Sequence, residues 1–208
     1  MNRLCLSLAV ALLAGCGTTF RSDVAFLRGR TETIVLADRD SDARVAVCPA
    51  LQGRVMTSTG TGDGGISHGW LNYAALASGE LRPHINVYGG EDRFWLGPEG
   101  GQFSIFFRKC DPFDLHHWQT PAGIDSEPFD VLRKDAERVA MRKDLRIPNY
   151  SGFRFDLRID REIRLLRVDR AWQQLQMPPA IDVRLVAYES VNRVTNTGAA
   201  AWTREAGL

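Results

Sequence analysis

FRFDLRID, residues 153–160, is the stretch that decides the fold class of this chain. Four apolar residues alternate in it with four charged ones: Phe153, Phe155, Leu157 and Ile159 with Arg154, Asp156, Arg158 and Asp160. Such a period of two is typical of a β-strand with one buried face and one wet face. Because antiparallel sheets are the ones that commonly leave one face in water, the stretch predicts an antiparallel sheet.

Weaker patterns on both sides predict further strands and a few short helices. The predicted strands cover residues 33–36, 44–50, 54–58, 102–108, 138–147, 162–168 and 181–194. The predicted helices cover residues 70–78 and 170–176, and the proline-containing connection 111–129 is expected to be irregular. Since glycines and turn residues are plentiful and long helical periods are scarce, we predict an all-β domain.

Length and charge limit the classes of function. The chain has 208 residues, enough for one well-buried domain, and a formal net charge of +1. Its arginines are spread through the predicted strands and form no basic patch, so we expect no nucleic-acid partner.

The N-terminus has the pattern of a bacterial lipoprotein signal peptide over residues 1–15. Arg3 supplies a positive start, residues 4–13 form an apolar run too short to span a bilayer, and LAGC (13–16) resembles a lipobox. The resemblance implies lipidation of Cys16, and several acyl chains on one residue give stable membrane anchoring. An ordinary cleaved signal peptide is the alternative.

Residues 16–30 are then expected to be a lipidated polar tether with room for a short helix, followed by the folded domain at residues 31–208. Gly17 stands where an aspartate would favour the inner membrane, so by resemblance we expect the protein in the cell envelope, at the outer membrane facing the periplasm.

Two cysteines, Cys48 and Cys110, remain in the predicted mature domain. An exported protein can oxidise such a pair, but Cys48 lies in an alternating apolar run and also suits a small buried hydrophobe. His116 and His117 are adjacent, so on a strand they would point to opposite faces. We therefore predict no metal site, and nothing in the sequence indicates a cofactor.

NVYGGEDRFWLGPEGGQFSIFF, residues 86–107, is the candidate ligand-binding stretch. Its glycine pairs, Gly89–Gly90 and Gly100–Gly101, allow close backbone approach to a ligand. The candidate binding residues combine hydrogen-bonding groups with a flat apolar ring: Asn86, Glu91, Asp92, Arg93, Trp95 and Glu99. This combination suits a sugar. The alternative is a tight turn in which an arginine–carboxylate pair braces two strands.

Three segments together resemble the galactose mutarotase-like superfamily: VAVCPALQGRVMTST (45–59), NVYGGEDRFWLGPEGGQFS (86–104) and YESVNRVTNTGAAAWTREAGL (188–208). The resemblance implies an antiparallel β-sandwich of the supersandwich type. It also implies acid–base chemistry at an anomeric carbon by a histidine acid and a glutamate base, neither of which can be placed in this sequence. Because the family's glutamate lies later in the chain than residue 208, the resemblance implies a C-terminally truncated, incomplete sandwich.

Three hypotheses of function follow. The first is a membrane-anchored carbohydrate-binding β-sandwich, and the second is an aldose 1-epimerase-like isomerase with catalytic residues beyond residue 208. The third is an envelope scaffold that binds no sugar.

Overall fold

A computed structural model describes residues 18–180 and 182–207. The strands in these residues are β1 (Ile34–Ala37), β2 (Arg44–Cys48), β3 (Arg54–Thr59), β4 (Asp130–Lys134), β5 (Arg138–Pro148), β6 (Arg154–Leu165) and β7 (Tyr188–Asn196). The α-helices are α1 (Phe20–Arg28), α2 (Tyr73–Ser78) and α3 (Val168–Leu175). Single 3-10 turns cover Pro49–Leu51, Ala122–Ile124 and Arg204–Ala206.

The predicted lipobox with Cys16 lies outside the described residues. Among the residues that are described, no helix has both the length and the apolar composition needed to cross a bilayer.

The first sheet has the order β1-β2-β3 and is antiparallel throughout. The predicted turn between β2 and β3 is present, and both Gln52 and Gly53 have positive φ there, 65° and 61°. Val45 and Val47 point into the main core, whereas Ala46 points to the opposite face and packs against α1. Both faces of β2 are therefore buried, which explains its nearly continuous apolar sequence.

The second sheet has the order β4-β5-β6-β7 and is also antiparallel. Its centre is β6, which contains the opening stretch of the sequence analysis and pairs along its length with β5. The prediction of a separate strand at residues 162–168 is wrong. The alternation continues without a turn residue through Ile163 and Leu165, so β6 is one long strand whose second neighbour is β7.

Two other predicted strands need correction. Residues 102–108 form no strand although Phe106 and Phe107 are buried, because Ser104 closes turns with both its backbone and its hydroxyl group. The apolar character of these residues therefore predicted their burial correctly, but the strand conformation predicted from it is wrong. The last predicted strand, 181–194, begins only at Tyr188.

One apolar core contains side chains from both sheets. Leu36, Val45 and Val55 from the first sheet belong to the same cluster of buried residues as Ile159 and Ile163 from the second. The predicted all-β, antiparallel class is therefore confirmed as two antiparallel sheets with a common core.

Most of the predicted tether, residues 16–30, lies in or next to α1, which is packed on the first sheet. Thr19 and Ser22 cap the start of the helix reciprocally, and Phe20, Val24 and Leu27 are buried. Asp23 of this helix is also buried and accepts hydrogen bonds from the hydroxyl groups of Ser67 and Tyr73. These contacts fix α1 to the domain.

Cys48 and Cys110 are both free thiols, so they form no disulfide in this structure. Cys48 is fully buried in an apolar cluster, so it is the small buried hydrophobe that its alternating apolar sequence suggested. Burial raises the pKa of the Cys48 thiol to about 11. Cys110 is exposed.

Candidate ligand-binding site

The loop that follows Asn86 lies against the start of β3. The backbone N–H of Glu91 donates to the Val55 carbonyl at 2.8 Å, and the N–H of Gly90 donates to the Trp70 carbonyl at 2.8 Å. Gly89 and Gly90 have φ values of 87° and 103°, and a Cβ atom on Gly90 would lie 2.8 Å from Arg54 Cδ. Glycine is therefore required here both for the backbone conformation and for the close approach to β3.

A cavity of about 290 Å³ opens between this loop and β3, and we call it the Arg54 pocket. Its lining residues are Arg54, Ile85, Val87, Gly89, Gly90, Glu91, Asp92 and Arg93. Three of the six predicted ligand-binding residues, Glu91, Asp92 and Arg93, therefore meet at one cavity.

Arg54, which the sequence analysis did not single out, is the most buried charged residue of the pocket. It is only 4 % exposed, and its Nη1 donates to the Gly89 carbonyl at 2.7 Å. Its Nε and Nη2 atoms have no hydrogen-bond partner among the described residues. Burial and the positive charge of Arg93 together lower the pKa of Arg54 to about 10, against the opposing negative charge of Asp125.

Arg93 lies at the side of the pocket, half-buried, with its guanidinium carbon 3.9 Å from the centre of the Trp95 ring. Burial lowers the pKa of Arg93, and the charges of Asp125 and Glu99 oppose the shift. Trp95 also stacks on Phe106, with 5.0 Å between ring centres, and its Nε1 donates to Glu99 at 3.0 Å. Trp95 and Glu99 thus support Arg93 and do not line the pocket.

The carboxylates of Glu91 and Asp92 are engaged by other protein groups. Ser58 Oγ donates to Glu91 Oε1 at 2.9 Å, and Arg161 Nη2 donates to Asp92 Oδ2 at 2.9 Å. Tyr188 lies beside both acids, and its burial together with their negative charges raises the pKa of its phenol.

Arg161 anchors this arrangement and was missed by the sequence analysis. Its side chain is fully buried, and besides Asp92 it donates to the Gly53 carbonyl, Ser190 Oγ and Asn192 Oδ1 at 2.7–2.9 Å. A signal for it existed, because the alternation of residues 153–160 continues and places Arg161 at an inward position between Ile159 and Ile163.

Asn86 is buried next to the pocket and holds Asp125 in place. Its backbone N–H donates to both Asp125 carboxylate oxygens, at 3.2 Å and 3.0 Å, and its Nδ2 donates at 2.7 Å. Asp125 belongs to the irregular connection 111–129, so this contact ties that connection to the loop. Asn86 does not itself line the pocket.

The pocket contains none of the chain's four histidines. Among the described residues, no group of three or more histidine, cysteine, aspartate or glutamate side chains is placed to hold a metal ion. The site can therefore offer two arginines, two carboxylates and loop backbone to a ligand.

Comparison with known proteins identifies a family and no activity. The model of DUF6786, described as a family of unknown function, matches residues 18–208. No curated protein and no solved structure matches the chain.

Proposed function

We propose, from the premise that this chain belongs to the DUF6786 family, that the protein binds a carbohydrate in the Arg54 pocket. The observation that carries the proposal is Arg54, which has two free donors and lies with Arg93 at a cavity formed by a glycine-rich loop. Convergent polar groups in a concave site are the usual arrangement for small-molecule recognition.

The remaining lining supports a sugar in particular. Ile85 and Val87 add apolar surface beside the charged side chains, which suits a ring that has C–H patches between its hydroxyl groups. Trp95 contributes indirectly in this proposal, because its ring already contacts Phe106 and Arg93. A volume of about 290 Å³ suits one small polar ligand.

For the fold and location we propose a β-sandwich of the galactose mutarotase-like type, anchored in the cell envelope by lipid on Cys16. The common core of the two antiparallel sheets supports the first part. The second part depends on the resemblance of LAGC to a lipobox.

Replacing Cys16 with serine should abolish labelling by a palmitate analogue, and equal labelling of the variant would contradict the anchor.

Binding is favoured over anomeric acid–base catalysis. The epimerase-like mechanism that the resemblance implies requires a histidine acid within hydrogen-bond reach of the sugar. Because none of the chain's histidines lines the pocket, the site supports recognition better than turnover.

The test is calorimetric titration of the wild-type protein and of Arg93→Ala with a panel of hexoses and hexuronic acids. A hydrogen bond to a charged group contributes roughly 1.5–3 kcal/mol, so Arg93→Ala should weaken binding by tens-fold with a small shift in melting temperature.

The matched control is Arg158→Ala, on the outer face of β6, where Arg158 pairs with Asp144 at 2.9 Å in an exposed setting. It should change neither the affinity nor the melting temperature appreciably. Unchanged binding with a collapsed melting temperature in Arg93→Ala would identify Arg93 as a brace between strands and contradict the proposal.

A further inference from the structure

We infer that the sugar bound in the Arg54 pocket is an acidic one whose carboxylate is held by the free edge of Arg54. This inference rests on the proposed function and names the substrate class of the same site.

The free donors of Arg54 lie on one edge of its guanidinium group. Nη1 is occupied by the Gly89 carbonyl, whereas Nε and Nη2 have no partner among the described residues. The N–H groups of Nε and Nη2 are parallel, and their spacing matches the two oxygens of a carboxylate. A hydroxyl group offers one oxygen and would leave one of these buried donors unsatisfied.

The hydrogen bonds already made around the pocket favour the same ligand. Asp92 is paired with Arg161, Glu91 accepts from Ser58, and Asp125 accepts from Asn86. Among the described residues, neither Arg54 nor Arg93 is hydrogen-bonded to a carboxylate. The acids near the pocket are thus hydrogen-bonded to other protein groups, while Nε and Nη2 of Arg54 remain free.

An unpaired buried cation is unfavourable, and a bound anion removes that cost. Arg54 is 4 % exposed and lines the cavity, so a carboxylate entering it would meet a largely desolvated charge, where charge-assisted hydrogen bonds are strong. Arg93 at the side of the pocket adds a second positive charge.

Calorimetric titration at constant ionic strength tests the inference with D-glucuronate and D-galacturonate, the parent hexoses, D-glucose 6-phosphate and acetate. A uronate should bind about ten- to a hundredfold more tightly than its parent hexose. Arg54→Lys keeps the charge and removes the two-donor edge, so it should lower uronate affinity more than hexose affinity and remove most of this preference.

Arg93→Gln provides a second variant at a half-buried position in case Arg54→Lys does not fold. It should reduce uronate affinity and its dependence on salt, whereas Arg158→Lys on the outer face of β6 should change neither. Unchanged uronate affinity in both pocket variants would overturn the inference.

The other outcomes separate this inference from the proposed function. Hexoses that bind as tightly as uronates, or a sugar phosphate that binds more tightly than either, would overturn the carboxylate assignment and leave sugar binding intact. Acetate that binds as tightly as a uronate would overturn both, as would the absence of binding by every sugar.

Discussion

Two buried arginines about one loop, Arg161 and Arg54, have opposite surroundings. Arg161 extends from β6 and donates to four groups, one of them the carboxylate of Asp92. Arg54 extends from β3 and donates to one carbonyl, whereas its Nε and Nη2 have no hydrogen-bond partner among the described residues. A buried guanidinium whose three nitrogens all donate to protein groups stabilises the structure, whereas one with free donors at a cavity can bind an anion.

The largest expected difference between them is in stability. Arg161→Ala should lower the free energy of unfolding by about 3–5 kcal/mol, because it leaves Asp92, the Gly53 carbonyl and two β7 side chains without their donor. Urea denaturation monitored by tryptophan fluorescence measures the change. A loss below about 1 kcal/mol would show that Arg161 is not the anchor of the loop.

A smaller loss of stability is expected when only the Asp92–Arg161 ion pair is removed. Asp92→Asn retains an acceptor for Arg161 and removes the negative charge, so it should cost about 1.5–3 kcal/mol of unfolding free energy. The same denaturation assay applies, with Asp144→Asn as the matched control on the exposed Arg158 pair. Equal effects of the two substitutions would mean that burial adds nothing to the Asp92–Arg161 pair.

The pH dependence of uronate binding examines the other arginine. The Arg54 pKa is lowered to about 10, so the cation is present below that pH and is lost above it. Uronate affinity should therefore be constant from pH 7 to 9 and should fall by up to about tenfold, or 1.4 kcal/mol, per pH unit above 10.

Hexose affinity is the control for this titration, and circular dichroism checks that the protein stays folded. An affinity for uronate that remains constant to pH 11 in folded protein would contradict the expected loss of the Arg54 charge in this range.

The smallest expected effect is that of Arg54→Met on stability. The substitution removes a donor to the Gly89 carbonyl but also removes a buried cation with two unsatisfied donors, so the two contributions nearly cancel. We expect a change of less than about 1 kcal/mol in the free energy of unfolding, of either sign, together with loss of uronate binding. Destabilisation comparable to that of Arg161→Ala would make the two arginines structurally equivalent.

The sequence predicted the sheets better than it predicted the site, and particular residues show why. Alternation is a local property, so β2, β5 and β6 and the turn at Gln52–Gly53 could be located from neighbouring residues alone. The segment around Phe106 was wrongly predicted as a strand. Its apolar character comes from burial against aromatic rings elsewhere in the chain, and a turn segment in such a place is as apolar as a strand.

The loop residues Glu91, Asp92 and Arg93 were predicted as candidates, and they do meet at one cavity. Arg54 could not be assigned to it, because its companion Gly89 is 35 residues away and only the tertiary fold brings them together. Arg161 was within reach, since its inward position follows from the alternation, but its partner Asp92 is 69 residues away.

The hydrogen bonds of Arg161 join segments that are far apart in the sequence, so the Arg54 pocket depends on the whole domain. Its hydrogen bond to the Gly53 carbonyl spans 108 residues, and its bonds to Ser190 and Asn192 include the last strand. Contacts of such separation carry a loop-closure entropy cost that only the folded domain as a whole can offset. A synthetic peptide of residues 86–107 should therefore bind no sugar, because the loop takes its shape from strands on either side of it in the sequence.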